Sequence, residues 1–291
     1  MLEIKKILCP VDFSEFSATA YDYAHSLARH YKAKLFIQHV SEPVISVPPE
    51  YISPPLIEQV YAHQVTDAEE RIRELSRRRS LDEVEHEVVL ERGGAADCIL
   101  EFVDSEKMDL IVMGTHGKRG LDRLVVGSVT EKVLRKAHCP VLAIPRLAQE
   151  ASGTSAEPVQ LRKILCCTDF NEDSPRALEY AVLLACQYKA TISLLHVLER
   201  SSEKKLESEK QGALQQLEAA IPENVRVCGP VEPAVRAGKP YEQILEHAVE
   251  TESDLIIMGV RGRSAVNLAL FGSTTHRVIQ LGSFPVLVVR T

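Results

Sequence analysis

Short unbroken runs of hydrophobic residues alternate along this chain with segments in which apolar positions recur three and four residues apart. The runs read as buried strands and the spaced positions as one face of a helix. Strands are expected at Lys5–Val11, Lys34–Val40, Val84–Leu90, Leu110–Met113 and Val141–Ile144. Between them the spacing predicts a helix after the turn Asp12-Phe-Ser14, running to Tyr31, with Ala20, Ala24, Leu27 and Ala28 inward. A longer one, Leu56 to Arg79, places Val60, Ala68, Ile72 and Leu75 on one stripe. Helices Ala95–Ser105 (Ile99, Leu100 and Val103 inward) and Ser128–Ala137 follow, and Ser128 with Glu131 fits a capping box. The same alternation returns as strands Lys163–Thr168, Thr191–Val197, Val225–Gly229, Leu255–Met258 and Val286–Arg290. Their intervening helices start at Ser174-Pro175, line Leu206, Leu214, Leu217 and Ile221, and cover Tyr241–Thr251 and Ser273–Leu281.

The return is a tandem duplication. Ile7-Leu-Cys-Pro-Val-Asp-Phe-Ser14 matches Ile164-Leu-Cys-Cys-Thr-Asp-Phe-Asn171, and His39-Val40 matches His196-Val197, at an offset of 157 (164 − 7). Met113-Gly114 matches Met258-Gly259, and Cys139-Pro-Val-Leu142 matches Phe284-Pro-Val-Leu287, at 145 (258 − 113). The first copy thus carries 12 extra residues (157 − 145) between Val40 and Gly93. The segment Pro43–Pro55, with five prolines, is the expected place, as an extended loop. The repeat divides the chain into a first domain at 1–146, a polar small-residue linker at 147–160 and a second domain at 161–291. Strand–helix alternation with near-continuous apolar strands implies an α/β fold: a parallel sheet in each copy with helices on both faces. Such a sheet takes ligands at the carboxyl ends of its strands, where Asp12 and Gly114 both fall. The apolar last strands, Val141–Ile144 and Val286–Val289, are candidates for pairing the copies and covering each other's edges.

Composition narrows the function. The 291 residues are 45% hydrophobic and 26% charged, an ordinary globular balance, with a formal net charge of −7. That charge gives no global field for nucleic acid or acidic membranes, and no apolar run is long enough to span a bilayer. The segment Met1-Leu-Glu-Ile-Lys-Lys enters a strand directly, without a signal-peptide core, which points to the cytoplasm. Seven cysteines form no C-x-x-C pair, so neither zinc nor a disulfide framework is expected. The adjacent Cys166-Cys167 pair reads as small apolar core residues, with a redox sensor as the sharper alternative.

The candidate chemistry lies after the fourth strand of each copy. Gly114-Thr-His-Gly117 is followed nine residues later by Gly127-Ser128, and Gly259-Val-Arg-Gly262 by Gly272-Ser273. Glycines free the backbone to approach a ligand, and exposed N–H groups leading into a helix start form an anion site. The hydroxyls of Ser128, Thr130, Ser273 and Thr275 can donate to phosphate oxygens, and Lys118, Arg119, Arg261 and Arg263 supply compensating charge. No G-x-G-x-x-G follows the first strand, and Gly238-Lys239 leads into Pro240 rather than Ser or Thr, so neither a dinucleotide fingerprint nor a Walker A loop is present. Asp12 either contacts the ligand or caps the first helix, or does both. His39 and His196 read as hydrogen-bonded core histidines, and His116, with Arg261 at its place in copy two, is not a repeated catalytic group.

Both copies resemble universal stress protein domains of the ATP-binding subgroup. The resemblance is carried by Asp12, Gly114-Thr-His-Gly117 and Gly127-Ser-Val-Thr130, by Asp169, Gly259-Val-Arg-Gly262 and Gly272-Ser-Thr-Thr275, and by the turns Gly93-Gly94-Ala95 and Gly238-Lys-Pro240. It implies two Rossmann-like domains of the adenine nucleotide alpha hydrolase-like kind, each with a five-stranded parallel sheet. It further implies a stress regulator that binds ATP, or ADP or AMP, with Mg²⁺ held through the phosphates and no metal ligands of its own. Asp12 and Asp169 would lie against adenosine, Pro10 would be among the cofactor-binding residues, and Val40 and Val197 would offer backbone groups to the adenine edge. Gly114, Thr115, His116, Gly117, Lys118, Arg119, Gly120, Gly127, Ser128, Val129 and Thr130 would wrap ribose and phosphates. Gly259, Val260, Arg261, Gly262, Arg263, Gly272, Ser273, Thr274 and Thr275 would do so in copy two. The alternatives are a slow ATPase or adenylyl-transfer enzyme, and a nucleotide-free module that meets a protein partner through Pro43–Pro55. A homodimer beyond the intrachain pairing stays open.

Overall fold

Ten strands form one sheet in the order β3-β2-β1-β4-β5-β10-β9-β6-β7-β8 in the computed structural model. It describes residues 3–41, 54–77, 83–116, 126–145, 159–171, 174–199, 203–222, 225, 229–260 and 272–290. The first copy supplies β1 (Lys6–Pro10), α1 (Glu15–Tyr31), β2 (Lys34–Ser41), α2 (Pro54–Arg77) and β3 (His86–Arg92). It continues with α3 (Ala95–Glu106), β4 (Leu110–Gly114), α4 (Ser128–Lys136) and β5 (Val141–Ile144). The second supplies β6 (Lys163–Cys167), α5 (Ser174–Tyr188), β7 (Thr191–Leu198), α6 (Glu203–Ala220) and β8 (Val231–Ala237). It ends with α7 (Pro240–Glu250), β9 (Leu255–Gly259), α8 (Ser273–Leu281) and β10 (Val286–Val289).

Within each copy every strand pair is parallel, and the antiparallel pair β5–β10 fuses the two halves. Its register pairs Leu142 with Leu287, equivalent residues of the repeat, so the seam has the self-complementary form of a two-fold interface. Burying these strands against each other removes two exposed edges. One apolar layer, on the side of α1, α2, α5 and α6, joins Ile7, Tyr21 and Leu27 to Ile164, Leu184 and Leu217. The layer on the opposite side joins Leu8, Ile99 and Val133 to Leu165, Ile244 and Val278. The halves are further held where His30 stacks on Tyr188 at 4.1 Å and where Val159 N donates to Ser26 Oγ at 2.7 Å.

Several expectations shift. The strand expected at Val225–Gly229 lies instead at Val231–Ala237, 145 residues after β3 (231 − 86), the offset of the downstream repeats. Pro233 hid it: proline donates to no ladder, but β8 is an edge strand with only β7 beside it, so nothing is lost. That match also confines the extra residues of copy one to the stretch before His86. Pro54 and Pro55 open α2 rather than close a loop, since a first-turn proline gives up no intrahelical bond. Val60 and Leu214, expected inward, are exposed, while Ala68, Ile72, Leu75 and Leu217 are buried. Cys186 is disulfide-bonded, a link that residue spacing gave no ground to expect. Cys9, Cys166 and Cys167 are free and buried.

Paired carboxylates staple the strand starts. Asp109 Oδ2 accepts from Lys5 N (2.8 Å) and Lys6 N (2.9 Å), and Asp254 Oδ2 from Arg162 N (2.6 Å) and Lys163 N (2.9 Å). These bonds fix β1 beside β4 and β6 beside β9, and so bring the two strand ends that carry the candidate site together.

Candidate functional site

The carboxyl end of β4 is tied to the start of α4 by two bonds. Gly127 N donates to Thr115 O at 2.8 Å, and the buried Thr130 Oγ1 donates to Gly114 O at 2.8 Å. Copy two repeats both: Gly272 N to Val260 O at 2.9 Å and Thr275 Oγ1 to Gly259 O at 3.0 Å. The helix start is therefore held directly over the strand end in each half. Gly127 and Gly272 are the N-caps, with no side-chain cap bond, so Ser128 is the first helical residue and the capping-box expectation fails. The amides of Ser128, Val129 and Thr130, and of Ser273, Thr274 and Thr275, belong to the first turn, where a helix has no acceptor of its own and carries partial positive charge. Thr130 and Thr275 spend their hydroxyl protons on the strand carbonyls, which leaves Ser128 and Ser273 as the hydroxyl donors at equivalent places of the two copies, with Thr274 added in the second.

Gly114 lies under a close approach of α1. A Cβ there would stand 3.0 Å from Phe16 O and 3.1 Å from Phe16 C, so any side chain would press on the α1 backbone by a few tenths of an ångström. This packing against α1 stands beside the ligand approach that the glycine spacing led one to expect.

Asp12 lies at the end of β1, next to this close approach. Its Oδ1 accepts from Ser14 N at 3.0 Å and Ser14 Oγ at 2.6 Å. Ser14 is the N-cap of α1, and its Oγ accepts from Ser17 N at 3.2 Å. Asp12 thus supports the cap rather than being it. Asp169 does the equivalent, accepting from Asn171 N (3.2 Å), Asn171 Nδ2 (3.2 Å) and Ser174 Oγ (3.0 Å).

Between each aspartate and its cap sits a residue that sequence reasoning passed over. Phe13 and Phe170 both have φ of 61°, a left-handed conformation that costs a bulky residue about 1–3 kcal/mol. Phe13 packs on His39 at 4.4 Å, with the Arg71 guanidinium of α2 over its ring at 4.5 Å, and Phe170 packs on His196 at 4.6 Å. Those histidines meet the strand ends through Nδ1, at 2.8 Å from Val11 O and 2.8 Å from Thr168 O. The repeated Asp-Phe dipeptide and repeated His-Val were the visible signal. Strain kept in both copies at one strand end marks a shaped site.

Pro10 and Val40 lie on neighbouring strands beside this turn: β1 and β2 pair with Pro10 opposite Gln38, and Val40 follows two residues on. Val197 holds the equivalent place at the end of β7. His116 lies beside Thr115, its Nδ1 2.9 Å from Thr115 Oγ1. Gly117, Lys118, Arg119, Gly120, Arg261, Gly262 and Arg263 lie outside the described residues, as does most of the Pro43–Pro55 segment. A small apolar cavity of about 30 Å³ sits at the seam between Tyr23, Tyr180, Leu142 and Leu287, away from these strand ends and without charged lining. Among the described residues no helix is long and apolar enough to cross a membrane.

A duplicated α/β sheet with a helix start bound over each fourth strand defines a doubly wound α/β architecture, a fold that takes ligands at the carboxyl ends of its strands. The sequence profile of the universal stress protein family matches residues 3–145 and again 160–290, and the chain belongs to that family. A universal stress protein of Methanocaldococcus jannaschii is 35% identical over 148 residues, covering 50% of this chain and 85% of its own. One from Thermus aquaticus is 35% identical over 141 residues, covering 48% and 98%. The crystal structure of a universal stress protein from Archaeoglobus fulgidus superposes over 98% of both chains with a TM-score of 0.68 at 22% identity, a likeness of fold.

Proposed function

We propose that each half binds an adenine nucleotide at the carboxyl end of its sheet, and that the chain acts as a nucleotide-dependent stress regulator. The observation that carries the reading is the doubled tie of strand end to helix start, which presents the same first-turn amides and serine hydroxyl in both copies. Phosphate oxygens suit such amides because the site supplies donors and positive potential together. Ser128 and Ser273 would hold the phosphates, with Lys118, Arg119, Arg261 and Arg263 in the adjoining loops. Pro10, Asp12 and Val40, and Asp169 and Val197, would take the nucleoside. Mg²⁺ would enter with the phosphates. His39 and His196 hold strand-end carbonyls in this arrangement and serve to shape the turn rather than to move protons.

The test is calorimetric titration of the purified chain with Mg·ATP, alongside mass spectrometry of small molecules released on denaturation. Saturable binding is expected, and it should be lost when Gly117→Val and Gly262→Val are combined in a chain that keeps its far-UV spectrum. Unchanged affinity in that folded double variant refutes the reading.

A further inference from the structure

Gln38 breaks the symmetry of the two sites. Side chains alternate across a strand, and Leu8 and Phe36 belong to the layer on the α3 and α4 side. Pro10 and Gln38, each two residues further on and opposite one another, share that side, as does Val40. Gln38 is fully buried (0% exposed) in the second half of β2, opposite Pro10, the last residue of β1. Its Nε2 donates to Glu91 Oε2 at 2.6 Å. A carboxylate only accepts, so the amide nitrogen must face Glu91 and the carbonyl oxygen must turn away from it. Among the described residues that Oε1 has no hydrogen-bond partner. Buried acceptors are rarely left unpaired in native proteins, and one held beside a ligand site invites a donor from the ligand.

We propose that the Gln38 carbonyl, turned by Glu91, accepts from the 6-amino group of the base and makes the first site selective for 6-amino over 6-oxo purines. The inference rests on the nucleotide reading above, in which Val40 and Pro10 flank the base. A 6-amino purine presents a donor at this edge; a 6-oxo purine presents an oxygen and sets two acceptors against each other. Glu91 is the positioning residue. The second half is an internal control, because its equivalents are Leu195 (38 + 157) and Arg236 (91 + 145). Leu195 is buried and has no acceptor. The Arg236 guanidinium is committed to His247 Nδ1 at 3.1 Å and to the carboxylates of Glu246 and Glu250. The two sites of one chain should therefore differ in base selectivity.

The test is calorimetric titration of the full chain with ATP and with ITP, its 6-oxo counterpart. Repeating it in a Gly262→Val background assigns the sites. The first site should prefer ATP by a factor about 5- to 100-fold larger than the second, the range expected for one buried hydrogen bond. Gln38→Leu should bring its ATP-to-ITP ratio down to that of the second site. Glu91→Gln, which lets the Gln38 amide turn either way, should lower the ratio part of the way and keep the volume; it decides the matter alone if Gln38→Leu does not fold. ATP binding with equal ratios at both sites, or a ratio unmoved by these substitutions, overturns the inference and leaves the nucleotide reading standing. Absence of any nucleotide binding to the unaltered chain overturns both.

Discussion

Replacing Thr130 by valine should show how much of the site's geometry depends on one hydroxyl. The residue is 4% exposed, and its Oγ1 donates to Gly114 O at 2.8 Å, joining the first turn of α4 to the end of β4. Valine preserves the shape, so packing changes little and the effect isolates the hydrogen bond. Removing one partner of a buried bond typically costs about 1–3 kcal/mol. With a melting shift of roughly 2–4 °C per kcal/mol for chains of 150–250 residues, Tm should fall by about 2–12 °C. Thr275→Val removes the equivalent bond, 3.0 Å, to Gly259 O and should cost a similar amount. The two sites belong to separate halves, so the double variant should show the sum within about 0.5 kcal/mol. Urea unfolding followed by circular dichroism measures all three. A loss below about 0.5 kcal/mol in both single variants, within the range of an ordinary surface change, would refute the claim that these hydroxyls hold the helix starts.

Gly93→Ala and Gly238→Ala should each destabilise by about 1–3 kcal/mol, since φ of 146° and 145° is strained for any side chain; thermal melts check this. Thiol labelling at pH 8 should leave Cys9, Cys166 and Cys167 unreacted in the folded chain. Burial pushes all three thiols up, Cys166 to about 12, so almost no thiolate forms, which disfavours a redox role for the adjacent pair. Labelling of Cys166 or Cys167 as fast as the less buried Cys98 would count against this. His247 is held neutral, chiefly by burial and then by Arg236, so its folded pKa lies below the ordinary value of 6.5, with Glu250 opposing. Such a histidine costs nothing above pH 6.5, where both folded and unfolded forms are neutral. Stability is lost as pH falls below 6.5, because the unfolded chain takes up the proton first. His247→Gln should flatten the stability profile between about pH 6.5 and 5, measured by urea midpoints. An unaltered slope would show that another group sets it.

Much of this protein was written in local patterns. Helical and strand periodicity, first-turn prolines and the two offsets of the repeat specify the alternation, the parallel half-sheets and the place of the candidate site, because each depends on neighbours within a few residues. The repeat even contained the right position for β8, which Pro233 masked for any reading by propensity. Contacts between distant segments settled the rest. Pairing of Leu142 with Leu287 turns two sheets into one, and the close approach of α1 leaves little room for a side chain at residue 114. Phe13 and Phe170 keep their left-handed turns because histidines from the next strand hold the rings in place. The direction of the Gln38 amide is set by a carboxylate 53 residues away. Such features have no local period; they exist only once the chain has brought separate elements into contact.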